Sequence, residues 1–256
     1  MPRSLDQWIE YIQTLHPRTI DLSLDRVAQV WDRFKPAELP PVIAVAGTNG
    51  KGSSVSMLES VYRHAGYRTA AFTSPHLVRF NERLCMDNIP VDDDRLLASF
   101  ARIEALRGDV SLTFFEFNTL LALDVFCTEK PDVILLEVGL GGRLDAVNIV
   151  DNDLALITAI DIDHTAWLGS SRDQIGVEKA GIIKVDGLAV FADPKAPRNM
   201  ADIAKSKQAE LVQAGIDYKL EDCPQKKCCF SSAQAGLAMF DGFEFEPALK
   251  HVYMNS

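Results

Sequence analysis

A glycine-rich turn with one lysine follows an apolar strand in residues 42–54, which read VIAVAGTNGKGSS. Backbone N–H groups from Thr48 to Lys51 can point into one concavity there, and the following helix begins with the positive end of its dipole. Lys51 adds a full positive charge. A turn with these properties is predicted to bind phosphate groups.

This turn departs from the common phosphate loop, G-x-x-x-x-G-K-[ST]. Val45 stands where that motif begins with glycine, and Gly52 separates Lys51 from the hydroxyl of Ser53. The difference favours a phosphate-handling family other than the GTPases and kinases. A purely structural turn is the alternative interpretation, although such a turn would not need the lysine.

Three more polar residues come directly after predicted strands. Ser74 follows the second strand, Glu137 closes the run VILLE, and His164 follows LALITAI. Ligands of open α/β sheets bind beyond the carboxyl ends of the strands, so these residues are predicted to face one crevice together with Lys51. A hydroxyl, a carboxylate and the oxygens of a nucleotide suit Mg²⁺.

Each of these residues also has a structural interpretation. Glu137 could be satisfied by a helix N-terminus or by Arg143. His164 could be a hydrogen-bonded loop residue, since histidine is an unusual partner for Mg²⁺. Ser74 lies in T-S-P, an ordinary turn sequence.

Lys179, in the segment GVEKAGII, is ambiguous by pattern. It could be a solvated lysine on a helix. It could also lie in the crevice, where burial and a neighbouring metal would lower its pKa and permit carbamylation. The residue pattern leaves both interpretations open.

Strands alternate with helices along most of the chain, which predicts an α/β fold with a doubly wound, mostly parallel sheet. Two helices, capped by Ser4 and Ser23, are predicted before the first strand. Thr113 and Glu116 fit a capping box. Residues 1–220 are thus predicted to form one domain that includes N-terminal helices in 1–36, whereas residues 221–256 show no sustained period and are expected to have low order.

Composition excludes several classes of protein. Acidic residues outnumber basic ones by 36 to 26, so the net charge of -10 gives no footprint for nucleic acid or an anionic membrane surface. The start lacks the pattern of a signal peptide, and no apolar run has membrane-spanning length. The five cysteines include no C-x-x-C pair. A cytoplasmic monomer without a zinc site or disulfide framework is expected.

Five motifs together resemble the bifunctional dihydrofolate synthase/folylpolyglutamate synthase family of the Mur ligase superfamily. The resemblance covers roughly residues 1–220, and GTNGK alone would also suit the ligases that build peptidoglycan precursors. The motifs are GTNGKGS at 47–53, SPHL at 74–77, LLEVGLGGRLDAVN at 135–148, DHTAWLG at 163–169 and EKAGI at 178–182.

This resemblance implies an ATP-dependent amide ligase that adds L-glutamate to dihydropteroate and to folate polyglutamates. ATP would phosphorylate the substrate carboxylate, and the amine of L-glutamate would attack the acyl phosphate. The implied partners are therefore ATP with Mg²⁺, dihydropteroate or a reduced folate, and L-glutamate.

The same resemblance implies roles for individual residues. Lys51, His164 and Lys179, the last of them carbamylated, would be catalytic. The implied ATP-binding residues are Thr48, Asn49, Gly50, Lys51, Gly52 and Ser53. The implied metal ligands are Ser74, Glu137 and His164. The implied substrate-binding residues are Ile20, Asp21, Leu22, Ser23, Thr113, Phe114, Phe115, Glu116, Leu144, Asp145 and Ala146.

Phe114 and Phe115 offer an apolar face that could accept a flat pterin ring. Packing of both rings into the core beneath the helix is the alternative interpretation, and the sequence supports both equally.

The chain departs from the family pattern after about residue 220. The family carries a second, smaller α/β domain that contacts ATP and glutamate, and the expectation for this chain is a truncated or frame-shifted product. Turnover would then be impaired, because an open crevice exposes the acyl phosphate to water. Two alternatives remain: a non-catalytic ATP- or folate-binding fragment, and a Mur ligase that acts on a peptidoglycan precursor.

Overall fold

The computed structural model describes residues 2–222, 228–232 and 244–245. Strands and helices alternate through most of this range, as the sequence pattern predicts. The α-helices are α1 (Leu5–Gln13), α2 (Asp25–Trp31), α3 (Lys51–His64), α4 (Asp93–Arg107), α5 (Phe114–Glu129), α6 (Thr165–Leu168), α7 (Arg172–Ala180) and α8 (Arg198–Ser206). The strands are β1 (Val42–Ala46), β2 (Thr69–Phe72), β3 (Leu84–Met86), β4 (Ile89–Pro90), β5 (Val133–Glu137), β6 (Leu154–Ile157), β7 (Leu188–Phe191), β8 (Glu210–Gln213), β9 (Tyr218–Asp222), β10 (Cys228–Ser232) and β11 (Glu244–Phe245).

Eight strands form the main sheet in the order β4-β3-β2-β5-β1-β6-β7-β8. The six strands from β2 to β8 in this order run parallel, and the β3–β4 hairpin extends one edge antiparallel. The predicted mostly parallel α/β sheet is confirmed. β1 lies at its centre between β5 and β6, and β2 is the other neighbour of β5, so the four strand ends that carry the predicted site lie side by side.

The central strands are apolar because helices cover both faces of the sheet. Every residue of β1 and of β5 is buried. On one face, Val55 of α3 joins a core cluster with Ile43 and Leu135. On the other face, Phe100 of α4 stacks on Phe117 of α5 with 5.6 Å between the ring centroids. Burial on both faces explains why these strands lack polar alternation.

Local sequence signals set most helix boundaries. The Ser4 hydroxyl accepts a hydrogen bond at the start of α1, and Thr113 and Glu116 form the predicted capping box of α5. Ser23 is not the cap of α2, because that helix begins one residue later, after Leu24. The hydroxyl of Ser23 instead accepts from the backbone N–H of Asp25 at 3.2 Å.

A second, antiparallel sheet of three strands in the order β11-β10-β9 lies at the C-terminal end of the described chain. The sequence pattern predicted low order from residue 221 onward. Parts of that stretch contribute to these strands, and the rest of the stretch lies outside the described residues.

None of the helices in the described part of the chain combines the length and apolarity needed to cross a bilayer.

Candidate functional site

The predicted phosphate turn connects β1 to α3. Gly50 adopts a φ of 84° as the N-cap of α3, so that the helix begins at Lys51. Such a φ favours glycine, because a side chain there would be strained. The ammonium group of Lys51 donates a hydrogen bond to the Gly47 carbonyl at 3.1 Å, which folds the side chain back over the turn. The lysine charge is therefore held at the positive end of the helix.

The loop after β6 holds this turn in place. The backbone N–H of Thr48 donates to the Ala159 carbonyl at 2.8 Å, and the Thr158 hydroxyl donates to the Asn49 carbonyl at 2.7 Å. A Cβ on Gly47 would lie 1.7 Å from the Thr158 hydroxyl oxygen, so only glycine fits at that position. Thr158 has no motif of its own, and sequence reasoning missed it because its contact with the turn is long-range.

Glu137 ends β5 with its carboxylate beside the first turn of α3. Its side chain is 5% exposed and accepts a hydrogen bond from the Ser74 backbone N–H at 3.0 Å. Burial raises its pKa, while the N–H groups of Ser74 and Gly52 and the charge of Lys51 act in the opposite direction. The suggestion that Arg143 neutralises Glu137 is wrong, since Arg143 pairs with Glu178 at 2.9 Å.

His164 follows β6 and precedes the short helix α6. It adopts a left-handed φ of 49°, and its half-exposed ring lies 3.5 Å from the carboxylate of Asp163. With Lys51 and Lys179 it borders a small niche of about 20 Å³. The structure therefore brings His164 to the phosphate turn, as the strand-end argument predicts.

Lys179 lies in α7 and points into the same niche. Its side chain is 4% exposed, and its ammonium group donates to the Gly47 carbonyl at 2.9 Å. Burial, and then the nearby charge of Lys51, lower its pKa to about 8, although Asp163 and Asp145 act in the opposite direction. The interpretation of Lys179 as a solvated helix lysine is therefore wrong.

Asp145 anchors the glycine-rich loop that follows β5. Its carboxylate accepts backbone N–H bonds from Leu140 at 2.8 Å and from Val147 at 3.0 Å. Burial raises its pKa to about 6, and these N–H groups limit the rise. The loop also packs on α7, where the N–H of Arg143 donates to the carbonyl of Glu178 at 2.8 Å. This contact leaves no room for side chains at the neighbouring glycines.

A cavity of about 450 Å³ opens beside the phosphate turn. Lys51, Ser74 and His164 form part of its wall, so the cavity and the turn are continuous. All of the predicted substrate-binding residues border it: Ile20, Asp21, Leu22, Ser23, Thr113, Phe114, Phe115, Glu116, Leu144, Asp145 and Ala146. Glu137 does not border the cavity and reaches it through its hydrogen bond to Ser74.

The two phenylalanines at the start of α5 both pack against the core and border the cavity. Phe115 lies so close to Gly139 that a Cβ there would be 2.5 Å from the ring. The ring of Phe114 lies 5.4 Å from the guanidinium of Arg83. Sequence reasoning missed Arg83, Gly139 and Leu140, of which the last two lie inside the glycine-rich loop motif and were not singled out.

An ion-pair network fixes the N-terminal segment against α5. Arg26 lies 3.1 Å from the carboxylate of Glu116 and 3.4 Å from that of Asp21. Glu116 also accepts the backbone N–H of Thr113 at 2.7 Å. The segment before β1 thereby becomes one wall of the cavity.

Mg²⁺ sets the demands that the predicted metal ligands must meet. In the described part of the chain, no three His, Cys, Asp or Glu side chains lie close enough to hold a metal by themselves. Mg²⁺ keeps several waters and takes oxygens from nucleotide phosphates, so few protein ligands suffice. Glu137 is a buried carboxylate that accepts only backbone hydrogen bonds, and Ser74 adjoins it. This donor set fits Mg²⁺ bound together with a nucleotide.

Comparison with known proteins identifies close relatives, although no protein-family model matches the chain. The dihydrofolate synthase/folylpolyglutamate synthase of Escherichia coli is 48% identical over 217 residues, which are 84% of this chain and 51% of the relative. The structure of E. coli FolC in complex with DHPP and ADP superposes with a TM-score of 0.88 at 45% identity, and the match covers 91% of this chain and 57% of that one.

A second solved structure is that of a bifunctional folylpolyglutamate synthase/dihydrofolate synthase with Mn, AMPPNP and L-glutamate bound. It superposes with a TM-score of 0.84 at 43% identity, over 91% of this chain and 56% of that one. The present chain spans about half the length of the curated relatives that it matches.

The fold defines an α/β domain of the Mur ligase type. Within that class, the chain is a homologue of the dihydrofolate synthase/folylpolyglutamate synthases.

Proposed function

We propose that this chain provides the ATP- and pteroate-binding part of an ATP-dependent amide ligase, which joins L-glutamate to dihydropteroate and to folate polyglutamates. One observation carries the proposal. The predicted substrate-binding residues and Lys51 of the phosphate turn border the same cavity, together with Ser74 and His164. A substrate carboxylate in that cavity would lie next to the terminal phosphate of ATP.

The chemistry requires such a juxtaposition. A carboxylate is a poor acceptor for an amine, so ATP first transfers its terminal phosphoryl group to the carboxylate oxygen and leaves as ADP. The amine of glutamate then attacks the carbonyl carbon, and phosphate leaves with the carboxylate oxygen as the amide forms. Because phosphoryl transfer depends on positioning and on neutralised charge, a preorganised cradle is the main demand on the protein.

This chain's own residues can meet that demand. The N–H groups of Asn49, Gly50, Lys51 and Ser53 and the ammonium group of Lys51 would bind the phosphates. The sequence also predicted the N–H of Thr48 for this role, but it donates to the Ala159 carbonyl, and the N–H of Gly52 donates to Glu137. Ser74, Glu137 and His164 would hold Mg²⁺, which neutralises phosphate charge when bound. Lys179, whose pKa burial lowers to about 8, would be carbamylated and would add a carboxylate-like group near the turn.

The pterin end of the substrate would lie against the opposite wall of the cavity, among residues 20–23, 113–116 and 144–146. Phe114 and Phe115 give this wall aromatic faces. The substrate carboxylate would then point toward Lys51 and Ser74.

Residues 1–220 are proposed to act as the ATP-binding domain, and the chain is proposed to be a monomer. The proposed location is the cytoplasm, because the proposed reaction consumes ATP. Residues 221–256 have no assigned role in this proposal.

Replacement of the turn lysine tests the ATP site. Calorimetric titration with magnesium and AMPPNP should show affinity about 10- to 100-fold weaker for Lys51→Ala than for the unmodified chain, because a charged hydrogen-bond partner of the phosphates is lost. Lys205→Ala is the matched control, since Lys205 is an exposed lysine on α8. Equal affinities for all three proteins would contradict the assignment of Lys51.

Substrate class and turnover need a separate measurement. The proposal predicts that dihydropteroate binds and that a uridine-linked muropeptide does not compete with it. Binding of the muropeptide instead would indicate a peptidoglycan ligase. Glutamate-dependent release of ADP would show that the chain turns over, whereas binding without ADP release would indicate a non-catalytic module.

A further inference from the structure

Arg83 is a buried arginine in the wall of the cavity, and it belongs to none of the motifs considered above. Its side chain is 8% exposed. Its Nε donates a hydrogen bond to Nδ1 of His76 at 2.8 Å, and its guanidinium lies 5.4 Å from the ring centroid of Phe114 and 6.0 Å from that of Phe80. Two aromatic rings and one imidazole thus hold the guanidinium in place.

No carboxylate of the described residues forms an ion pair with Arg83. The buried Arg107 makes a useful comparison, because it is 9% exposed and donates to Glu104 at 2.7 Å and to the Tyr11 hydroxyl at 2.9 Å. Burial lowers the pKa of Arg83, with no nearby carboxylate to oppose that effect. A buried charge without a counter-ion costs free energy, so a partner from outside the described protein residues is expected.

The carboxylates that share the cavity wall with Arg83 are already engaged. Asp21 and Glu116 both pair with Arg26. Asp145 accepts backbone hydrogen bonds from its own loop. These three carboxylates therefore do not neutralise Arg83, and its guanidinium can pair with an anion that enters the cavity.

We propose that Arg83 pairs with the carboxylate of the pteroate-type substrate and positions it for phosphorylation, an inference that rests on the proposed function. A planar guanidinium matches a carboxylate through two parallel N–H bonds, which a lysine cannot reproduce. Ser74, which adjoins the candidate metal ligand Glu137, borders the same cavity. Arg83 thus acts as a substrate-positioning residue on the wall that leads to the phosphate turn.

The test compares ligands with and without the negative charge. The affinities of 7,8-dihydropteroate and of its neutral carboxamide are measured by calorimetry for the unmodified chain, R83Q and R83K. The unmodified chain should bind the carboxylate about 10- to 100-fold more tightly than the carboxamide, because hydrogen bonds between charged groups contribute more free energy than neutral ones. In R83Q the preference should fall to within about threefold, and R83K should recover part of it because the charge returns without the planar fork.

R107Q is the matched control, because Arg107 is equally buried but lies outside the cavity. This variant should keep the preference for the carboxylate, even where its thermal midpoint falls through the loss of the Glu104 pair. Circular dichroism and the thermal midpoint establish that R83Q is folded. A folded R83Q that retains the full preference would overturn the proposal.

A second pair of probes separates this proposal from the proposed function. The small aromatic ligands 4-aminobenzoate and 4-aminobenzamide are compared by ligand-observed NMR on the same proteins. If dihydropteroate does not bind to the unmodified chain but 4-aminobenzoate binds in an Arg83-dependent way, the proposed function fails and the role of Arg83 stands. If dihydropteroate binds and neither pair depends on Arg83, the role of Arg83 fails alone. If neither dihydropteroate nor 4-aminobenzoate binds to the unmodified chain, both fail.

Discussion

Two lysines share one backbone carbonyl at the centre of the site. The ammonium groups of Lys51 and Lys179 both donate to the carbonyl of Gly47, at 3.1 and 2.9 Å. Like charges that are held so close disfavour full protonation of both. Lys179 is the more buried of the two, and its pKa is lowered to about 8 by burial first and by Lys51 second. A larger share of Lys179 than of an ordinary lysine is therefore the neutral, reactive amine as the pH approaches 8.

This assignment predicts a modification at Lys179. Only the neutral amine reacts with carbon dioxide, and a pKa of about 8 leaves about half of the amine neutral at pH 8, whereas an ordinary lysine is almost fully protonated there. In the presence of ¹³C-bicarbonate, NMR should show a carbamate carbonyl resonance that grows as the pH rises from about 6 to about 8.

Two variants assign that resonance. It should vanish in Lys179→Met and persist in Lys207→Met. Burial also lowers the pKa of Lys207, but that residue donates to carbonyls of the segment after α7 and not to the phosphate turn. A resonance that survives in Lys179→Met would contradict the assignment.

At the scale of elements, the phosphate turn depends on a strand far away in the sequence. β1 and β6 are neighbours in the sheet, and the loop after β6 holds the turn through Thr158 and Ala159. Such contacts hold the turn in the structure without a nucleotide, which would lower the entropy cost of ordering the turn on the proposed binding of ATP. A change at this contact should therefore affect both stability and nucleotide affinity.

Gly47→Ala tests this coupling. The new Cβ would lie 1.7 Å from the Thr158 hydroxyl oxygen, so the loop after β6 must move. Urea denaturation should show a free energy of unfolding lower by about 1–3 kcal/mol, as for other overpacked sites. Calorimetry with AMPPNP should show weaker binding as well.

Gly66→Ala is the control for this change. Gly66 has a φ of 91° and nothing within 4 Å of the position where a Cβ would be placed. Backbone strain alone should lower the free energy of unfolding by about 1 kcal/mol, without any loss of AMPPNP affinity. Equal effects of the two variants on AMPPNP binding would show that the contact with Thr158 does not shape the turn.

Across the whole molecule, the features that the sequence predicted are those set by residues close together in the chain. The glycine turn, the caps at Ser4 and Thr113 and the unbroken apolar strands are local patterns, and each is present in the structure. The positions of Ser74, Glu137 and His164 also followed, because the strand ends of a parallel sheet lie along one edge.

What the sequence could not predict depends on contacts between distant segments. Lys179 is buried against the turn, where it donates to the carbonyl of Gly47, 132 positions away, and the sequence of its own helix does not indicate this contact. Thr158 and Arg83 belong to no motif, and their importance appears only when the sheet brings them to the turn and the cavity. The cap of α2 was misplaced by one residue: Leu24 precedes the helix without a side-chain cap, and the Ser23 hydroxyl accepts from the backbone N–H of Asp25.

Under the proposed function, one cavity aligns the substrate carboxylate with the phosphates of ATP. The most direct test is paramagnetic relaxation by NMR, with Mn²⁺ and AMPPNP bound to the chain and dihydropteroate in exchange. The protons of the benzoate ring, next to the carboxylate, should broaden more than the C7 protons of the pterin ring. Equal broadening, the reverse order, or no broadening of bound dihydropteroate would contradict it.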